Sequence, residues 1–473
     1  MKAIIKSSLG FLAMVIVIMS LSIMPAFGAT NVTVSVITSK VVTSNKLSLG
    51  FQVTDARLFS SDATLGQLAK NMSSKLIRFL STVVEPCTLW NDATKTGTFN
   101  WATVDSLVKK IFAVGAEPLI DLGRIKDGGG GMVIPRGMTV NPATGLPYPA
   151  SYAAYAVQWV RHFKSLGLSV RYYEIVNEPY AYFGWTPSLT KLGNYLQLFN
   201  AVAQSMRTES SNLILSFDFI CRQQVLDYWL AHGGANLDSI NFHKYDTSTL
   251  SPYTSDATLF SKAETEEFGQ WPYGYSVTQA QQKYYQVRGK LLPLIDSESN
   301  MNGVCATGTD PRLQQMSDAV WLALEIRMEV LNGVSYNIYY CFTSSKSYGQ
   351  RYTKTGGYGF GMINADNDKP WYPYYVQQMI GPNLAVGDQI VQVSSSSSSV
   401  RTLGWTHQGK LNLLLICETS TPLGITFSGL QGTLSYSKID NTISWQSPRV
   451  QTGSISSTSV LSLNGYTVIL LQR

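Results

Sequence analysis

The chain has 473 residues, 45% of them hydrophobic, enough for one large barrel with a small module or for two to three domains. Only 14% of residues are charged, against roughly 25% in an average soluble protein, and the formal charge is +6. The positive charge is scattered, with no Lys/Arg block, which argues against a nucleic-acid-binding surface.

In chain order, residues 1–28 read as a secretory signal. Lys2 and Lys6 open it, Leu9 to Met24 is nearly all apolar, and Pro25-Ala26-Phe27-Gly28 offers small residues before a cut after Gly28. The run is shorter than the ~20 residues that span a bilayer comfortably. Export is therefore expected, with no membrane segment in the mature chain. In residues 29–46, Asn31–Val42 alternates (Val32, Val34, Val36) and is a strand available to a later module. Residues 47–385 alternate short apolar strands with helical patterns. The strands are Leu47–Val53, Lys75–Leu80, Glu117–Leu122, Tyr172–Val176, Leu213–Phe219, Ser239–His243, Leu291–Ile295 and Val334–Tyr340. The helices are Trp101–Val114, Ser151–Ser165, Leu192–Met206, Ser276–Lys290 and Gln314–Leu331. Such alternation predicts a parallel sheet, and eight strands predict a closed (β/α)8 barrel. A doubly wound open sheet would carry a glycine-rich phosphate loop after its first strand, and Gly50-Phe51-Gln52-Val53-Thr54 is not one. The glycine run Asp127–Gly131 lacks the following Gly-Lys-Ser/Thr, so it reads as a rim loop.

Residues 386–473 change texture. Leu411–Ile416, Gly424–Phe427, Thr433–Lys438, Thr458–Leu463 and Tyr466–Leu471 alternate without any helical pattern, which predicts an all-β sandwich domain. The serine run Ser394–Ser399 is a linker or a surface hairpin, and the hairpin fits a rigid barrel–sandwich contact. Of the five cysteines, Cys417 follows an apolar run and reads as a buried thiol. Cys87, Cys221, Cys305 and Cys341 leave three possible disulfide pairings. Their spacing suits no zinc site and the histidines lie far apart, so neither a metal nor a cofactor is expected.

The strand ends carry the chemistry. The fourth strand stops in Asn177-Glu178-Pro179 and the seventh in Asp296-Ser297-Glu298. In a barrel, side chains at the C-terminal strand ends read as catalytic, and Arg78, Asp121, Glu178, His243, Glu298 and Tyr340 all fall there. Two carboxylates facing each other across a barrel mouth are what cleavage of a glycosidic bond requires. By strict alternation Asp296 shares a face with Glu298 but lies deeper, as Glu174 does beneath Glu178. Trp90, Tyr180, Tyr182, Trp185, Tyr340 and Phe342 lie on or near the same rim and offer ring faces on which sugars stack. So few carboxylates leave little charge to lose in acid, and tolerance of low pH is expected.

An ordered set of segments extends this reading. It comprises Phe99-Asn100-Trp101 with Val114 to Gly123, Tyr173 to Pro179 with Phe183-Gly184-Trp185, Asn241 to Tyr245, and Gly359 to Asn364 with Lys369 to Tyr372. From about Leu47 to Leu384 the chain resembles clan A retaining glycoside hydrolases and is most similar to family 39. The resemblance implies Glu178 as acid/base and Glu298 as nucleophile. It implies Arg78 as a cation beside Glu298, Asn177 as donor to the sugar 2-hydroxyl, Tyr245 as donor to Glu298, and His243 as an orienting group. Three positions depart from the family: Val176 before Asn177, Tyr339-Tyr340-Cys341-Phe342 after the last strand, and Ser299 after Glu298. The expected activity is secreted, retaining hydrolysis of a β-linked polysaccharide (β-1,4-glucan, xylan or mannan), with carbohydrate as the substrate partner, no nucleic acid and no membrane after leader cleavage, and the oligomeric state open. An exo-acting β-xylosidase or β-glucosidase, and a non-catalytic carbohydrate-binding protein on a hydrolase scaffold, are the alternatives.

Overall fold

The structure, a computed structural model, describes residues 31–126, 131–218, 220–248, 253–265, 274–303, 310–344, 359–444 and 447–473. The expected leader, Phe219, Cys305 and residues 127–130 of the glycine run lie outside the described residues. Eight strands form the barrel wall: β1 Ser48–Gln52, β2 Leu76–Leu80, β3 Glu117–Asp121, β4 Tyr172–Glu174, β5 Ile214–Ser216, β6 Ile240–Thr247, β7 Leu294–Asn302 and β8 Tyr336–Tyr339. They are hydrogen-bonded in the order β5-β4-β3-β2-β1-β8-β7-β6, every neighbour parallel. The two edges meet where Asp238 N–H donates to Leu215 O at 3.0 Å and Ser216 Oγ donates to Ser239 O at 2.8 Å. Gly50 in β1 allows this tight wall: a Cβ there would lie 2.0 Å from the carbonyl oxygen of Leu76 on β2.

Helices α1 Ala63–Asn71, α2 Ala102–Ala113, α3 Pro149–Ser165, α4 Leu189–Glu209, α5 Gln223–Ala231, α6 Val277–Arg288, α7 Met316–Asn332 and α8 Tyr372–Ile380 cover the outside. Helix α6 starts on a reciprocal Ser276–Gln279 capping box and stops at Gly289 with φ +69°. Helix α7 is buried almost all round because it lies between the barrel wall and the C-terminal module.

That module is one nine-stranded sheet, in the order 451–456, 433–440, 467–472, 410–417, 400–407, 389–395, 31–44, 423–428, 461–463. Its N-terminal strand pairs antiparallel with Gln389–Ser395 and parallel with Leu423–Ser428. The sheet folds on itself, because Val32, Val34 and Val36 share one core with Leu413, Leu434, Leu463 and Leu471. Its other face, with Leu403, Trp405, Leu414, Val468 and Leu470, joins the barrel core. Strand Lys410–Cys417 is buried on both faces, which explains its unbroken apolar run. The serine run closes a hairpin between Gln389–Ser395 and Val400–His407, with Ser395 and Ser397 hydroxyls accepting the N–H groups of Ser397 and Ser399. These two strands and Gln451–Ser456 go beyond the sequence reading.

The structure corrects three expectations. Strands β6 and β7 do not end at His243 and Ile295; they pair with each other up to Thr247 and Asn302. Cys87, Cys221 and Cys341 are buried free thiols rather than disulfide partners, each packed in the barrel's apolar core. Burial pushes the Cys87 thiol up to about 11. Asp296 does not share a face with Glu298. The β7 register shifts against β6 at Phe242/His243 and against β8 between Asp296 and Ser299. This bulge turns Asp296 out toward α7, where it meets Glu325 and Glu329, while Ser297 and Glu298 point into the barrel.

Asp296, Glu325 and Glu329 each place a carboxylate oxygen within 4.8 Å of the others, an arrangement able to share a cation. The Lys244 ammonium already sits 2.6 Å from Glu325 and 2.9 Å from Asp246. Burial pushes Glu325 up to about 8 and raises Asp296 and Glu329 well above the usual carboxylate range. Carboxyls raised by folding stabilise fully below their unfolded pKa, and this is lost as pH rises through the folded value, here toward 8. The loss is at most ~1.4 kcal/mol per pH unit for each group. Glu174 and Asp440, both lowered, act oppositely and lose their contribution only in strong acid. The melting temperature is therefore expected to fall between about pH 5 and about pH 8, and Glu329→Gln to flatten that slope. A flat or rising profile in the parent protein would rule this out.

Candidate active site

The C-terminal mouth of the barrel is built around Arg78, which follows the apolar pair Leu76-Ile77 in the middle of strand β2 and is fully buried. Its guanidinium donates to five groups. These are Glu174 from Nε at 2.7 Å, Glu298 and Gln52 from Nη1 at 2.7 and 2.5 Å, and Asp121 and Asn177 from Nη2 at 2.8 and 2.6 Å. Burial alone would lower its pKa, but the Glu174, Asp121, Glu298 and Asp218 carboxylates outweigh that and hold it raised. The same field acts in reverse on its partners. Burial raises Asp121, with Arg78 opposing, whereas at Glu174 burial is overcome by Arg78 and His243 and the group is lowered. Glu174 is thus a structural counter-ion that also accepts from Asn241 Nδ2 at 2.7 Å.

Glu298 is gripped from two sides. Arg78 holds Oε2, and the Tyr245 hydroxyl donates to Oε1 at 2.5 Å. Burial and the Glu298 carboxylate push the Tyr245 phenol well up, so it stays a donor. The Glu298 side chain is 11% exposed, whereas that of Glu178 is 32% exposed. Between them stands His243. Its Nδ1 lies 3.4 Å from Glu178 Oε1, and its Nε2 lies 3.1 Å from Asp218 Oδ2 and 3.9 Å from Glu298 Oε2. One imidazole therefore reaches both glutamates.

Glu178 does not sit on a regular strand end. After Glu174 the backbone leaves β4 and takes two left-handed turns, φ +71° at Val176 and φ +49° at Glu178. Three contacts hold it there: Asn177 N–H to Gly123 O at 2.9 Å, Glu178 N–H to Asp218 Oδ2 at 2.8 Å, and the Tyr195 hydroxyl to Ile175 O. Asn177 Oδ1 accepts from Arg78, which leaves the amide nitrogen as its donor.

The aromatic residues divide. Tyr180 and Trp185 lie together beside Glu178, ring centroids 4.0 Å apart, with the Arg222 guanidinium 5.2 Å from the Trp185 ring. Burial and the carboxylates of Glu178, Asp218 and Glu298 raise Tyr180. Tyr340 is half-buried, edge-on to Tyr245 and Phe360. Trp90 and Phe342, expected as sugar platforms, are instead 2% and 1% exposed. The Trp90 indole donates to Asp92 and Ser151 under its hairpin, and Phe342 stacks on Phe51 at 4.1 Å, so neither ring has a free face. Tyr182 is likewise buried, its hydroxyl donating to Thr144 O at 2.7 Å. Two polar residues at the mouth went unread, Gln52 at the end of β1 and Asp218 just past β5. The signal for both was a polar side chain closing an apolar strand.

No known family profile matches the chain, and no curated protein matches it in sequence. Solved structures do. A family 39 β-xylosidase from Caulobacter crescentus is 14% identical with a TM-score of 0.62, covering 94% of this chain and 99% of its own. A glucosidase from Croceicoccus marinus is 13% identical with a TM-score of 0.65, covering 93% and 98%. A family 30 endoxylanase from Clostridium papyrosolvens is 15% identical with a TM-score of 0.57, covering 94% and 99%. The fold, barrel and β-module together, is the fold of these enzymes.

Proposed function

We propose that the protein is a secreted, retaining β-glycoside hydrolase that cleaves a β-linked polysaccharide, a β-1,4-glucan, xylan or mannan. The observation that carries this reading is the unequal pair of glutamates at the barrel mouth. Glu298 is buried and held by a cation and a phenol; Glu178 is a third exposed and faces a histidine. The outward turn of Asp296 removes the competing nucleophile. In the first step Glu298 attacks the anomeric carbon while Glu178 protonates the leaving oxygen. In the second, Glu178 takes a proton from water, which attacks the same carbon and frees the sugar with its configuration retained. Asn177 donates to the sugar 2-hydroxyl, and Tyr180 and Trp185 offer a stacking edge beside the acid. Neither step needs a metal or cofactor.

An exo-acting β-xylosidase or β-glucosidase is the second reading, favoured by the likeness to the Caulobacter and Croceicoccus structures. Product release from β-glucan, xylan, mannan and aryl β-glycosides separates the two. Oligosaccharide products are expected, and monosaccharides released from chain ends would favour the exo reading. Silence of folded protein across the whole panel would favour a carbohydrate-binding protein.

A further inference from the structure

We propose that Asp218 is a positioning residue that holds Glu178 as a general acid, through the backbone of Glu178 and through His243. The inference rests on the glycosidase reading and deepens it. Asp218 follows β5, from which no catalytic residue was expected, and it is fully buried. A non-glycine residue in the left-handed region costs on the order of 1–3 kcal/mol and persists only where its surroundings over-determine it. Glu178 is such a residue, and its N–H is tied by the Asp218 carboxylate at 2.8 Å.

The oxygen that accepts from Glu178 N–H also lies 3.1 Å from His243 Nε2, and the far nitrogen of that ring lies 3.4 Å from the Glu178 carboxyl. Asp218, His243 and Glu178 therefore close a ring that returns to its own starting residue. Nε2 lies at contact distance from Asp218 Oδ2 without the alignment of a hydrogen bond. The tautomer inferred here puts the proton on Nε2, toward Asp218, which leaves the Nδ1 lone pair facing Glu178. A bare Nδ1 accommodates the protonated carboxyl that the first step needs, whereas an Nδ1–H would favour the carboxylate.

Asp218 faces Arg78 from β2, Asp121 from β3, and Glu174 and Glu178 from β4 and the turn after it, and Glu298 on β7 lies against His243. Burial and then the Glu174 and Asp121 carboxylates raise the Asp218 carboxyl well above its usual range, with Arg78 opposing.

The test compares two leaving groups on whichever sugar the substrate panel identifies. General-acid help matters for an alkyl or sugar leaving group and hardly at all for dinitrophenolate. Asp218→Asn is expected to lower kcat on the poor leaving group ~10²-fold or more, within the range of a lost general acid, with less than a ~10-fold change on the dinitrophenyl glycoside. Equal losses on both would reduce Asp218 to a purely structural role, and no loss on either would also overturn the proposal. A second readout is independent of turnover and stands even if the glycosidase reading fails. In the full protein the ¹⁵N signals of His243 should show Nε2 protonated and Nδ1 bare, and Asp218→Asn should convert this to a tautomer mixture. An unchanged tautomer in the folded variant would overturn the proposal. Asp218→Ala, read in the same two ways, serves if the asparagine variant fails to fold.

Discussion

Glutamine in place of Glu298 is expected to abolish turnover, by ~10⁴-fold or more, with little change in folding. The carboxamide keeps the shape of the side chain, its carbonyl oxygen can still accept from Arg78, and its NH2 can donate to the Tyr245 hydroxyl in place of the bond that Glu298 accepts. It carries no charge with which to form a bond at the anomeric carbon. Alanine at Glu298 leaves room for a small anion, so azide should restore part of the activity and give a glycosyl azide of inverted configuration. At Glu178, where a lost proton donor costs ~10²–10⁴-fold, alanine plus azide should give the retained product instead. The opposite stereochemistry of the two rescues is the assay. Equal activity of Glu298→Gln and the parent protein would sink Glu298 as nucleophile, and inverted products from both rescues would sink the division of roles.

Arg78→Met is expected to cost ~3–5 kcal/mol of stability, the range for removing one partner from a buried charge cluster. The magnitude follows from what is left behind. Glu174 and Asp121 are fully buried, and each loses the one cation within ion-pair distance among the described residues, while Gln52 and Asn177 lose their donor. Arg78→Lys should recover only part of the loss, because one ammonium cannot reach the five acceptors that a planar fork spans. Urea unfolding followed by tryptophan fluorescence measures both. A loss below ~1 kcal/mol for the methionine variant, in the range of surface ion pairs, would show that this cluster is solvated rather than buried.

Both expectations began as strand-end residues in the sequence, and the way they were refined shows where sequence reading stops. Arg78, Glu174, Asn177 and Glu178 were legible because each closes or follows an apolar run whose period places it at the barrel mouth. The tie between Asp218 and Glu178 was not legible. It joins positions 40 residues apart, and it depends on a left-handed turn at a glutamate that no local propensity favours. Trp90 and Phe342 were placed at the right end of the barrel but not at the right depth. Ring exposure is set by partners such as Ser151 and Phe51, which lie far off in the chain.

The sequence by itself determined the alternation of strands and helices, the all-β texture of residues 386–473, the sparse charge and the two glutamates. These are consequences of local periodicity and composition, which a short window contains. Only the tertiary structure decided that Glu298 rather than Asp296 faces Arg78. Strict alternation puts both on one face, and a bulge that exists only because β7 must keep register with β6 and β8 at once turns one of them outward. Long-range pairing also carried β6 and β7 past their apolar runs. It left three cysteines buried and unpaired in the barrel core, and it made the N-terminal strand part of the C-terminal module.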